Sequence, residues 1–161
     1  TGCHFKHLGH TRALCISDNK IGVDWERFRG FETGFHPGTT DFLLIPMCKE
    51  ERWQLYRRNM EKLRRTSAIF AVSDYYAIDM ISFLNEQGVP VPEQISVAGF
   101  DDIPVSQMIC PTLTTVKQEG ELRAKIAIEK LRELKEKKEV ETEIRLPVSL
   151  VVRKSTRKPH R

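Results

Sequence analysis

The sequence predicts an α/β fold built on a parallel, doubly wound sheet. Short apolar runs of strand length recur down the chain, the first four begin about 26 to 30 residues apart, and amphipathic helical segments fill the intervals. A strand, a helix and the next strand together take about 30 residues, and such alternation implies a parallel sheet with helices on both faces. With 161 residues, 40% of them hydrophobic and 30% charged, the chain has material for one ordinary domain with a real core.

The strands are read at 13–17, 42–45, 68–73, 95–100 and 113–116. Ahead of the first, Cys3, His4, His7 and His10 form an amino-terminal group in which positions 3, 7 and 10 would share one helical face. That spacing suits zinc, but an ordinary surface is the expectation and no metal is assigned. Arg27 falls early in the helical segment after the first strand, and Gly34, Pro37 and Gly38 mark a loop before the second. Residues 49–65 read as one helix with Trp53, Tyr56, Met60 and Leu63 on one side. Ser73 or Asp74 caps the next helix, Ala77, Ile78, Ile81 and Leu84 repeat at helical spacing, and Gly88 followed by Pro90 stops it. Residues 119–138 place Leu122, Ile126, Leu131 and Leu134 on one face of a last helix. Residues 144–152 read as extended, and Pro147 suits an edge strand or a crossing between lobes.

Composition excludes several classes. No apolar run approaches the roughly 18 residues of a membrane span. The net charge of +4 owes much to residues 153–161, read as a solvated tail, and neither a helix-turn-helix nor a zinc-finger pattern is present. The four scattered cysteines read as reduced thiols of a cytoplasmic protein. The chain opens at Thr1 without an initiator Met or secretion signal, so a processed or excised segment is expected. No Gly-rich phosphate loop or nucleophile elbow occurs, and no cofactor is implied. Catalysis by Asp101 with Asp102, or by Ser73 with a histidine, is not expected: adjacent acids on an extended strand point apart, and no strand-end histidine is available.

In an open parallel sheet the ligand crevice lies outside the carboxyl ends of the strands. Those ends carry Ser17 and Asp18, Met47, Ser73 and Asp74, Asp101 and Asp102, and Lys117 and Gln118, with Arg27 nearby. Carboxylate, guanidinium, hydroxyl and amide groups form the polar kit for a polyhydroxylated or heterocyclic ligand, and a sugar fits best. Capping accounts equally well for Ser73, Asp74 and Asp102; ligand contact is preferred for Asp101 and Arg27.

Four stretches, SAIFAVSD (67–74), GVPVPEQISVAGFDD (88–102), PTLTTVKQ (111–118) and LPVSLVVRKS (146–155), resemble the effector-binding module of the lactose/galactose repressor family. LGHTR (8–12) and RFRGF (27–31) are similar to further motifs of that family, in the right order. The resemblance implies a two-lobed sensor of the type I periplasmic-binding-protein fold, joined in the complete protein to a DNA-binding headpiece absent from this chain. It implies a carboxy-terminal lobe over 1–117, a crossover into the missing lobe over 118–145, a return strand over 146–154, and a disordered basic tail over 155–161. It puts effector contacts on Arg27, Asp101 and Gln118, with Ser73, Asp74 and Met47 as further candidates. Ser73 stands where the family frequently has Asn, and Met47 where many members carry an aromatic platform. The resemblance also implies a homodimer, with a sugar-binding protein of a transport system as the alternative sharing the fold.

Overall fold

A computed structural model describes residues 1–159. The chain opens with α1 (Gly2–Leu8), which Gly9 ends at φ 94°, a left-handed conformation that suits glycine. Then follow β1 (Arg12–Ser17), α2 (Gly22–Phe35), β2 (Thr39–Leu44), α3 (Lys49–Arg58), α4 (Met60–Arg64), β3 (Ala68–Ala71), α5 (Asp74–Glu86) and β4 (Ser96–Asp101). A 3₁₀ turn (Pro104–Gln107) leads to β5 (Thr114–Gln118), α6 (Gly120–Lys135) and β6 (Val148–Val151).

The sheet order is β2-β1-β3-β4-β5-β6. The first five strands are parallel, as expected, and β6 pairs antiparallel on the edge, with Gln118 opposite Val148 and Thr115 opposite Val151. From β1 the chain steps outward to β2 and then crosses back to β3, so the connections diverge between the carboxyl ends of β1 and β3. That divergence opens a crevice, the topological switch point of such sheets. The core lies on both faces of β1 and β3, whose Leu14, Ile16, Ala68, Ile69 and Ala71 have no exposed surface. Stacked Phe31 and Phe70 rings, 4.8 Å apart, tie α2 to the sheet.

Two expectations are corrected. Residues 49–65 form two helices that part at Asn59, whose backbone leaves helical geometry at φ −105° and ψ 14° and whose side chain donates to the Leu55 carbonyl at 2.9 Å. The tail expected to be disordered is packed through Pro159. Ser155 is fully buried, its hydroxyl accepting from the Thr114 amide at 2.8 Å and donating to the Val97 carbonyl at 2.6 Å. The Arg157 amide donates to the Ser96 hydroxyl at 3.0 Å. Residues 160 and 161 of that tail lie outside the described residues. No helix among those described is long and apolar enough to cross a membrane.

Candidate ligand site

β4 ends in Gly99, Phe100 and Asp101, and Asp101 and the following Asp102 have positive φ values of 122° and 53°. Such conformations cost a non-glycine residue roughly 1–3 kcal/mol each and persist where the surroundings over-determine them. Both acids are so held. Asp102 pairs with Arg153 at 2.6 Å, and its amide donates to the Thr115 hydroxyl at 3.4 Å. Asp101 is turned the other way: its Oδ1 accepts from Gln118 Nε2 at 2.8 Å and from Arg27 Nη2 at 3.5 Å. The pair of acids therefore divides its work, one bracing the strand end and one facing the crevice.

Arg27 comes from the second turn of α2 and reaches across to β3. Its Nη1 donates to the Val72 carbonyl at 2.8 Å, its guanidinium lies 4.1 Å from the Phe100 ring centroid, and Asp24 sits 3.6 Å away on the same helix. Burial raises the Asp101 carboxyl above its ordinary range, while Arg27 and Gln118 pull it back down. The polar chain continues through Asn19, which donates to Asp24 at 2.7 Å and to Asp18 at 3.3 Å. Beside Arg27 and Gln118 opens a cleft of about 550 Å³, lined by apolar Val23, Ile144, Leu146 and Pro147 and by charged Asp24, Glu119 and Arg123. Apolar surface combined with a few polar groups is the usual build of a small-molecule site.

The six sequence candidates separate. Arg27, Asp101 and Gln118 form one hydrogen-bonded group. Ser73 stands at the same edge, half-buried, as the N-cap of α5, its hydroxyl accepting from the Tyr76 amide at 3.5 Å. Asp74 is removed from the ligand set: it is fully buried and accepts from Ser106 Oγ at 2.6 Å, the Ile103 amide at 3.0 Å and the Thr115 hydroxyl. Met47 is exposed in the loop after β2, without a bond to the group. The zinc face is not assembled either, because His10 lies beyond the end of α1 with both ring nitrogens engaged, by Ser67 Oγ at 2.8 Å and the Arg157 carbonyl at 2.9 Å.

Sequence reasoning missed Asn19 and Asp24, which extend the polar edge, and Tyr75, whose ring is exposed at the start of α5. Asp24 was within reach: an acid three residues before an arginine on a helix is a recognised pairing. It also missed Arg52, a fully buried arginine in an otherwise charged helical segment, since no local pattern distinguishes it from its exposed neighbours.

Comparison with known proteins matches residues 3–156 to the periplasmic binding protein-like domain. The HTH-type transcriptional repressor PurR of Aliivibrio fischeri is 35% identical over 142 residues, 80% of this chain and 41% of that protein. A lactose operon repressor of Rhizobium radiobacter is 35% identical over 95 residues, 59% of this chain and 84% of that protein. A LacI family regulator of Enterococcus faecium, solved with bound ribose, superposes with a TM-score of 0.81 at 27% identity, covering 99% of this chain and 61% of that one. The chain spans less than half the length of the first of these relatives. Strand order, the acid-ended β4 and these likenesses agree: the chain belongs to the periplasmic binding protein-like domain family, in the branch of the lactose-repressor type of regulators.

Proposed function

We propose that this chain is the effector-sensing lobe of a cytoplasmic DNA-binding transcriptional regulator, with α6 and the segment around it reaching into a second lobe. The Arg27–Asp101–Gln118 group carries this reading. It is a preorganised hydrogen-bonding set at the sheet's switch point. The effector is a sugar or a related small polyol. Asp101 Oδ2 and Gln118 Oε1 accept from its hydroxyls, and Arg27 holds the acid in place. That the relatives are repressors, and that ribose is bound in one regulator of this fold, supports the choice. The ligand closes the lobes upon each other and so biases the spacing of two DNA-binding headpieces in a homodimer.

The test uses the full-length protein. Asp101→Ala and Arg27→Ala are each expected to weaken effector affinity at least about tenfold in calorimetry, as loss of a charge-assisted hydrogen bond does, with an unaltered circular dichroism spectrum. Parent-like affinity in both variants refutes the assigned site.

A further inference from the structure

The turn at the end of β4 is strained, and a residue far along the chain supplies its tightest hold. Asp101 at φ 122° and Asp102 at φ 53° occupy a region that residues with side chains rarely adopt. Two of the contacts around them are long: 3.4 Å from the Asp102 amide to Thr115 Oγ1, and 3.5 Å from Arg27 Nη2 to the Asp101 carboxylate. Arg153 Nη2, by contrast, meets Asp102 Oδ1 at 2.6 Å, with the two side chains only 14% and 11% exposed. A charge-assisted bond this short and this shielded from water holds far more firmly than an ion pair in solvent.

Arg153 is itself fixed. Its Nη1 donates to the Leu113 carbonyl at 2.8 Å, and its amide donates to Thr114 Oγ1 at 2.9 Å. The Lys154 amide donates to the Thr112 carbonyl at 3.0 Å, and the Ser155 carbonyl accepts from the Val97 amide at 2.8 Å. The arginine side chain thus reaches from the start of β5 to the residue after β4. It stands just beyond β6, whose first residue, Val148, lies opposite Gln118 and lines the cleft. One short strand therefore meets the ligand crevice at its beginning and the strained turn just past its end.

We propose that Arg153 is a positioning residue of the effector site. By holding Asp102 it keeps the turn in its positive-φ conformation, and that conformation aims the Asp101 carboxylate at Gln118 Nε2, 2.8 Å away. Asp101 and Asp102 share one planar peptide unit, so relaxation of Asp102 to negative φ rotates that unit and carries Asp101 off Gln118. The segment after β6 thereby sets effector affinity without touching the effector. This inference rests on the effector-site reading above and adds to it a residue outside the cleft. Charge alone does not suffice: the guanidinium bonds Asp102 and the Leu113 carbonyl from one rigid fork, and a lysine ammonium in its place is a single point charge that lacks that fork.

The experiment compares the full-length parent with Arg153→Met, Arg153→Lys and Arg153→Met combined with Asp102→Gly, by crystal structure and by calorimetry with D-ribose, D-galactose and D-glucose. Arg153→Met is expected to break the Asp101–Gln118 contact and to weaken binding about tenfold for each sugar that the parent binds, as loss of a charge-assisted bond does. Arg153→Lys should fall between. Glycine adopts a positive φ without a brace, so the double variant should regain the contact and bind within about threefold of the parent. If Arg153→Met does not fold, Arg153→Lys with and without Asp102→Gly makes the same comparison. Contact and affinity both kept when the arginine is replaced overturn the proposal. So does a loss that glycine does not rescue, since it marks an arginine with a merely structural role. A broken contact with parent-like affinity refutes instead the effector site at Asp101. A parent that binds none of the three refutes the sugar reading alone, and the Asp101–Gln118 contact then decides for or against Arg153.

Discussion

Asp74 accepts from three donors, one each on Ile103, Ser106 and Thr115, and Ser106 and Thr115 are themselves fully buried. Replacing it with alanine leaves these donors without partners inside the fold. Asp74→Ala is expected to lose about 2–4 kcal/mol in urea denaturation, from the desolvation cost of the orphaned groups. The same carboxylate explains Gly99. A Cβ there would collide with Asp74 Oδ1 and would lie 3.1 Å from a Leu113 methyl, so Gly99→Ala should destabilise by a similar amount, read from the same urea midpoints. At this scale the sequence is only partly readable. Asp101 stands out because a charged group at the end of an apolar strand has few structural uses. Asp74, with the same chemistry one strand away, is absorbed by partners on two distant segments that no local pattern reveals.

At the level of elements, strand and helix periodicity is legible wherever one face is buried, and it fails where a single residue decides. Asn59 splits a continuous helical pattern, and a buried serine turns a basic tail into structure. That tail is clasped to the beginning of the chain by two histidines, with His4 Nε2 3.0 Å from Thr156 Oγ1 and His10 Nε2 2.9 Å from the Arg157 carbonyl. Burial is the main cause holding both imidazoles below their ordinary range, and they favour the neutral form in the fold. Unfolding restores the ordinary value near 6.5, so the unfolded chain binds more protons as pH falls. Their stabilising contribution is therefore complete above about pH 6.5 and is lost as pH drops below that through the folded-state values. Thermal melts from pH 7.5 to 5.0 should show a falling midpoint, and His10→Gln should flatten that slope while lowering stability at pH 7.5.

For the molecule as a whole, the parallel sheet, its strand-end site and its edge strand are legible because layer architecture follows from hydrophobic period alone. The proposal that α6 reaches into a second lobe rests on the family resemblance. The helix buries none of its residues, and Ile128, Leu131 and Leu134 are each more than half exposed. A helix without a packed face is held chiefly by its own backbone. In the 161-residue chain its amides are expected to exchange within seconds, while those of β1 and β3 persist for hours by mass spectrometry. In the full-length protein α6 should exchange slowly, and equal rates in both contexts would remove the case for a second lobe over it. The clasp of His4 and His10 on the last turns of chain has a practical corollary. Ser67, Ser96 and Arg157 meet at the amino ends of the strands, so the chain leaves the sheet at the pole opposite the ligand crevice. A reporter attached at Arg157 would therefore stand clear of the proposed ligand crevice.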